Sequence, residues 1–288
     1  MTDLIRALRP YQWSKNALVF AALVFAQRLG DPRQVAQALA AFAVFCAASS
    51  AVYLLNDVVD RERDRRHPEK SRRPIASGRI GVPVAVSTAA LLAAAALAGS
   101  WAVNARLAAV VGGYLLLQGA YNVALKKIPI VDALCVAAGF LLRAVAGAVA
   151  IDEPMSSWLL ICTTFVAVFI SFAKRRHEYR TLADGAAHRE SLSGYSVTAL
   201  DQFLVISAAA TLLSYALYTT DEETVAKFGD SRLVLTLPLV IYGLFRYLAL
   251  VQRDQIAGDP SLALMADRPL LITVALWGLV VVVLLYFR

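Results

Sequence analysis

Apolar residues run through this chain in long blocks that are broken by short polar segments. Nine of the blocks approach the roughly 17–25 residues that a helix needs to cross a bilayer. They lie at about 14–30, 35–56, 82–101, 105–124, 130–151, 156–173, 199–219, 232–250 and 269–287, the first and sixth being the shortest. None stands as a lone cleavable leader ahead of a soluble body. The pattern predicts an all-α polytopic membrane protein with nine transmembrane helices.

Composition agrees. Hydrophobic residues make up 59% of the 288 positions and charged residues 17%, against about 45–50% and about 25% in soluble domains. The Lys/Arg distribution sets the orientation. With nine spans, one side carries twenty basic residues, in the N-terminus and the connections after spans two, four, six and eight; the other carries about six. The positive-inside rule puts the richer side in the cytoplasm, so the N-terminus is expected there. Topology accounts for most of the net +7, and nucleic acid is not an expected partner. Cys46, Cys135 and Cys162 fall inside spans, where a lone thiol acts as a small hydrophobe. His67, His177 and His188 share no ligand spacing.

The densest polar feature is NDVVDRERDRRHPEKSRRPIASG, Asn56 to Gly78, with five acids and seven Lys/Arg at the end of the second apolar run. Charge at a bilayer edge is costly unless it binds something. On a continuous helix Asp57, Asp60 and Asp64 fall at i, i+3 and i+7, and Tyr53 shares their face. Carboxylates that close repel one another unless a cation lies between them. Hard oxygen ligands beside many cationic side chains point to Mg²⁺ bridging to phosphates, with Lys/Arg on the remaining oxygens. The other long cytoplasmic loop, 174–198, is more basic: Lys174 and Glu178 are i, i+4 neighbours, while Glu178 and Asp184 do not share a helical face. It suits anions better than a second metal cluster. Away from the outermost residues of each run, the spans contain two basic residues, Arg143 and Arg246. Each is expected to face a polar cavity or a partner, or, for Arg246, to snorkel.

The ordered segments carry a family resemblance. Asn56, Asp57, Asp60 and Asp64 reproduce the NDxxDxxxD hallmark of the UbiA superfamily of intramembrane prenyltransferases. The expected second DxxxD motif is absent, with Lys174, Arg175, Arg176, Glu178 and Tyr179 in its place. Together with LRPYQWSKN (8–16), YNVALKKIPIVDALCVAAGFLLRAVAGAVA (121–150), SSWLLICTTFVAVFISFAKRRHEYR (156–180), SGYSVTALDQF, TLPLVIYGLFRYLAL and DRPLL, this resembles the decaprenyl-phosphate phosphoribosyltransferase branch nearly end to end. The resemblance implies one domain over 1–288, nine helices around a central cavity open to the cytoplasm, and functional loops at about 57–81 and 174–198. It implies transfer of 5-phosphoribose from 5-phosphoribosyl 1-diphosphate to a polyprenyl monophosphate, with release of diphosphate and Mg²⁺ as cofactor. An anionic lipid phosphate needs no general base, which fits a chain without a His, Ser or Cys catalytic set. A prenyltransferase with an aromatic acceptor and a transporter are the alternatives.

Under that resemblance Asp57, Asp60 and Asp64 hold the metal, Asn56 orients the donor diphosphate, and Asp57, Asp60 and Lys174 are the catalytic candidates. The bland alternative for the acids is a solvated helix face. Arg65, Arg66, Lys70, Arg72 and Arg73 bind phosphates or anchor the loop to headgroups. Arg175 and Glu178 join Lys174 where relatives keep their second motif, or are ordinary positive-inside charges. Lys126 and Asp132 flank the start of span five. Asp132 and Arg143, about 16 Å apart along one helix, line a cavity wall or each pair with a neighbouring helix. Tyr53 and Tyr121 contact the donor or are interface aromatics. Gly147 and Gly139 are expected at close helix contacts.

Overall fold

The computed structural model describes residues 2–68, 70–181, 190–253 and 266–287. They are 85% helical and contain no strand. The chain divides into two compact units, 1–126 with 142–154, and 127–141 with 155–288.

The first unit opens with α1, Thr2–Leu8, a 3₁₀ helix over Pro10–Phe20 and a short α2, Ala21–Phe25. Next come α3, Pro32–Val59, one turn of α4, Arg61–Arg65, then α5, Val82–Val103, and α6, Ala105–Val123. Pro32 at the first turn and the Asp31 carboxylate, accepting from the Arg33 and Gln34 N–H groups, start α3. Asn104 does the same for α6 through Leu107 N–H, and its Nδ2 donates to the Val149 carbonyl. Long α3 packs along α5 with small residues buried on both, Ala38, Ala41, Ala48 and Ala51 on one and Ala85, Ala89 and Ala96 on the other. Small side chains let backbones approach where lipid removes the hydrophobic drive for helix association. The second half of α7, Val131–Ala150, completes this unit. There a Cβ on Gly147 would lie 1.9 Å from the Val19 carbonyl oxygen, so only glycine fits.

The second unit holds the first half of α7, then α8, Ser157–Thr181, a 3₁₀ turn at Glu190–Gly194, and α9, Val197–Thr220. A short α10, Glu222–Phe228, α11, Leu237–Gln252, and α12, Arg268–Tyr286, follow. Its core joins Phe169 and Phe172 of α8 to Leu200 and Leu204 of α9, Tyr247 and Leu250 of α11, and Leu192 and Tyr195 between them.

Among the described residues, seven helical stretches are long and apolar enough to cross a membrane: α3, α5, α7, α8, α9, Arg232–Gln252 and α12. Two of the nine expected spans are not among them. The first begins as a 3₁₀ helix to Phe20 and continues as α2 only to Phe25, tied to its neighbours by Asn16 and by the approach of Val19 to Gly147. The fourth, α6, has the length, but Arg106, Gln118 and Asn122 dilute its apolar character. Two expected boundaries move as well. Helix α3 continues to Val59, and α8 continues to Thr181, so Lys174 to Arg180 are helical rather than loop.

Candidate functional site

The acidic motif does not ride on one continuous helix. Helix α3 stops at Val59, Asp60 caps it with its N–H on the Asn56 and Val58 carbonyls, and α4 restarts at Arg61. Asp57 is therefore on the last turn of α3, Asp60 at the break and Asp64 on α4. Asp57 is 2% exposed and Asp64 3%, too buried for the solvated face considered above. Each acid faces a cation. Arg73 Nη1 lies 3.0 Å from Asp57 Oδ1 and 2.6 Å from Asp64 Oδ2. Lys126, on the 3₁₀ turn after α6, donates its Nζ to Asp60 Oδ1 at 2.7 Å. Arg63 comes within 3.8 Å of the same oxygen from the exposed side.

Arg9, which the sequence reading did not single out, bonds Asp57 Oδ1 through Nη2 at 2.5 Å and stacks over the Tyr53 ring, 5.1 Å from its centroid. Its backbone is left-handed, φ 55° and ψ 58°, directly before Pro10. A non-glycine residue is costly there, and a following proline disfavours helical ψ values further. The corner is fixed on α3 by Ser50, whose Oγ donates to the Leu8 carbonyl and accepts from Trp13 Nε1. No sequence signal links residues 48 positions apart.

The end of the charged block packs into the first unit. Pro74, Ile75 and Ala76 are buried, with Ile75 and Ile80 packed among Ala51, Leu54, Ala85 and Ala89. Arg65 donates to the Ala76 carbonyl and to Glu62, while Arg66, Lys70 and Arg72 are exposed. Asn56, Tyr53 and Tyr121 are half-buried. Arg143, 5% exposed, donates to Asn16 Oδ1 at 2.7 Å and Tyr114 OH at 3.1 Å and stacks on the Tyr114 ring. That network ties α7, the N-terminal 3₁₀ helix and α6 together, which is the partner-helix alternative for Arg143.

The second unit has its own polar centre. Asp132, at the start of α7, is 0% exposed. Its carboxylate accepts from Tyr195 OH at 2.7 Å and Ser191 Oγ at 2.9 Å, and Arg175 Nε lies 2.7 Å from Oδ2. Arg175, 1% exposed, also donates to Glu178 at 2.7 Å. Tyr195 OH accepts from Ile130 N–H; burial and the adjacent Asp132 carboxylate raise its pKa well above the usual phenol value. Arg176 donates to Asp201 and to the Val251 carbonyl. Lys174 is half-buried one turn before Glu178 on the same helix. Ser191 and Tyr195 escaped the sequence reading, because two common residues 59 and 63 positions from Asp132 carry no spacing signal.

Among the described residues no three His, Cys, Asp or Glu side chains already converge as a metal shell. The donor set of the first unit nonetheless fits a hard cation. Two buried carboxylates from α3 and α4 point at one guanidinium nitrogen, a positive centre standing where such an ion would be held.

The sequence matches the profile of the UbiA prenyltransferase family over residues 17–266. It is 37% identical to a decaprenyl-phosphate phosphoribosyltransferase of Mycolicibacterium smegmatis, over 96% of this chain and 90% of that protein. It is 38% identical to one of Mycobacterium tuberculosis, over 96% and 92%. A UbiA homologue from Archaeoglobus fulgidus, solved bound to DMAPP and Mg²⁺, superposes with a TM-score of 0.76 over 99% of this chain and 100% of that one, at 19% identity. This chain belongs to the UbiA prenyltransferase family, together with the mycobacterial decaprenyl-phosphate phosphoribosyltransferases.

Proposed function

We propose that this chain is a polyprenyl-phosphate phosphoribosyltransferase, moving 5-phosphoribose from 5-phosphoribosyl 1-diphosphate to a decaprenyl-like monophosphate with release of diphosphate. The observation that carries the reading is the 37% identity, along nearly the whole chain, to a relative of that activity. The chemistry of the residues supports it. In the second unit, the helix that bears Lys174 presents Arg175 and Arg176 and one acid, Glu178, already bonded to Arg175. Both arginines are buried, which leaves half-buried Lys174 as the cation suited to a phosphate there, and the stretch lacks the acid pair of a second metal site.

The reaction breaks the bond between the anomeric carbon and a diphosphate oxygen, whose electron pair leaves with diphosphate. An oxygen of the lipid phosphate forms the new bond. Asp57 and Asp64 would hold Mg²⁺, with Asp60 beside them, and the ion would neutralise the departing diphosphate. Asn56 would orient that diphosphate, and Tyr53 and Tyr121 would contact the donor. Lys126 would offer an ammonium to the phosphates while holding Asp60. Lys174 would steady the negative charge that grows on the leaving group, and Arg175, buried between Asp132 and Glu178, would hold that stretch of the helix in place for it. The exposed Arg65, Arg66, Lys70 and Arg72 would draw the anionic donor from the cytoplasm.

We further infer one UbiA-like domain over 1–288, with nine membrane-crossing helices around a cavity open to the cytoplasm, in a bacterial cytoplasmic membrane. The lengths of the two doubtful segments support this. Pro10–Phe25 rises about 30 Å if its 3₁₀ and α parts are collinear, and α6 rises about 28 Å, both close to the ~30 Å hydrocarbon core. The orientation rests on the asymmetry of twenty basic residues against about six.

The test uses purified protein, Mg²⁺, a polyprenyl phosphate and radiolabelled 5-phosphoribosyl 1-diphosphate, followed by solvent extraction. Label is expected in the lipid phase and is lost with a chelator. Asp57→Ala and Asp60→Ala are expected to abolish it while leaving folded protein in detergent. An unlabelled lipid phase, alongside prenylation of an aromatic acceptor from a prenyl diphosphate, refutes the assignment.

A further inference from the structure

Two arginines occupy the acidic cluster in a way that hallmark spacing does not explain. Arg73 Nη1 is shared between Asp57 Oδ1 and Asp64 Oδ2, and Arg9 Nη2 sits on that same Asp57 oxygen. A Mg²⁺ ion needs carboxylate oxygens at about 2.0–2.1 Å. The point between Asp57 and Asp64 therefore holds either the ion or the guanidinium, never both. Charge leads to the same conclusion. Three acids, Asp57, Asp60 and Asp64, face Arg9, Arg73 and Lys126 at hydrogen-bond distance, with Arg63 3.8 Å from Asp60, so the cluster carries no excess negative charge. A bare divalent ion entering it would displace a guanidinium and leave positive charge at the cluster that no anion balances, which opposes its binding.

We propose that Arg73 and Arg9 are resident counter-ions of this cluster that exchange partners when the donor arrives. They pass from the aspartates to the phosphate oxygens of the donor, and the freed carboxylates pass to the metal. Metal and diphosphate donor then bind as a unit, and either alone binds weakly. The proposal rests on the reading of these acids as the metal–diphosphate site. Guanidinium groups match both partners, since their planar donors bond carboxylate and phosphate oxygens alike. Arg9 is built for the exchange. Its left-handed backbone before Pro10 and the Ser50 bonds that pin this corner hold the guanidinium at the cluster, stacked on Tyr53 and bonded to Asp57 Oδ1. At 27% exposure the Arg73 side chain reaches the cluster from the solvent side, so it can turn towards an incoming ligand without repacking the core. Because coupling is reciprocal, the factor by which donor tightens metal is the factor by which metal tightens donor.

The test titrates full-length protein in detergent with Mn²⁺, read by electron paramagnetic resonance, with and without 5-phosphoribosyl 1-diphosphate and with no lipid acceptor. For the wild type, donor is expected to tighten Mn²⁺ binding at least about tenfold, roughly 1.4 kcal/mol. Arg73→Gln is expected to bind Mn²⁺ alone at least about tenfold more tightly than wild type, about 1.4 kcal/mol, and to gain little from donor. Arg73→Lys keeps the charge and is expected to stay weak. Arg9→Gln moves in the same direction as Arg73→Gln and carries the test if that variant fails to fold. Asp57→Asn should remove the signal in every background. Mn²⁺ binding that Asp57→Asn abolishes but that Arg73→Gln and Arg9→Gln leave unchanged or weaken would overturn the exchange and leave the metal site standing. No Mn²⁺ bound by wild type or either glutamine variant, with donor or without, would sink the site reading and the exchange with it.

Discussion

Removing the Asp132 carboxylate is the sharpest test of how the cationic end of α8 is held. The residue is fully buried and serves three partners: Tyr195 OH, Ser191 Oγ and Arg175 Nε, all within 2.9 Å. Arg175 is 1% exposed, so its charge has no route to bulk water, and Glu178 would be left as its acid. Breaking a buried ion pair from one side costs about 3–5 kcal/mol, because an uncompensated charge stays behind. Asp132→Asn keeps the shape and one carbonyl acceptor, so it isolates that charge; about 3 kcal/mol is expected, the low end of that range. Tyr195→Phe removes one bond to a charged acceptor and strands the Ile130 N–H, at about 1.5–3 kcal/mol. Both changes strip the same carboxylate, so the double variant should fall short of the sum by about 1 kcal/mol. Thermal unfolding in a fixed detergent reads this directly, with a drop of about 10 °C expected for Asp132→Asn. A positioning role requires more than lost stability: at a temperature where the variants are folded, the donor KM should rise with kcat little changed. A melting temperature within about 2 °C of wild type, or a KM that does not move, would refute the argument.

Gly147→Ala should destabilise the fold by about 1–3 kcal/mol or more, read as a lowered melting temperature, because the new methyl meets the Val19 carbonyl at 1.9 Å; Gly113→Ala, with nothing within 4 Å, is the matched control. Lys174→Ala should raise the donor KM about tenfold, the loss of one charge-assisted phosphate bond; an unchanged KM would return Lys174 to the ordinary cytoplasmic charges. The hydrogen bond from Arg246 holds the Asp267 carboxyl below its usual pKa. A depressed folded value means that this contribution is present above about pH 4 and fades as pH falls through the folded pKa. Asp267→Asn should therefore be less stable than wild type at pH 7 and converge with it in acid; unfolding curves that stay parallel at every pH would count against the pairing.

Much of the fold was legible because lipid imposes a single requirement, a long apolar run, and that requirement is written locally. Helices α5, α9 and α12 fall close to their expected runs. The departures occur where tertiary bonds override local pattern. The first span is apolar enough in its own window, but Asn16 reaches Ser49 and Arg143, and Val19 meets Gly147. Neither fact can be read from residues 14–30. Helix α8 outran its apolar stretch because Arg175 and Arg176 are not solvated. Both are buried on acids and a carbonyl, so the charges that mark the end of a hydropathy run do not end the helix.

The site divides along the same line. The acids stood out because their spacing is short and local, yet their partners did not. Arg9 lies 48 residues from Asp57, and Lys126 lies 66 from Asp60. Periodicity also misjudged the geometry, since a continuous helix would align three carboxylates on one face. The break at Asp60 instead turns Asp57 and Asp64 towards Arg73 and leaves Asp60 to Lys126. Spacing alone describes a chelating row of acids. The fold describes a lattice in which each of the three acids already bonds a cation, Asp57 to Arg9 and Arg73, Asp64 to Arg73 and Asp60 to Lys126. A hallmark read from spacing therefore names the acids, while the cations that partner them lie outside it and become visible only in the fold.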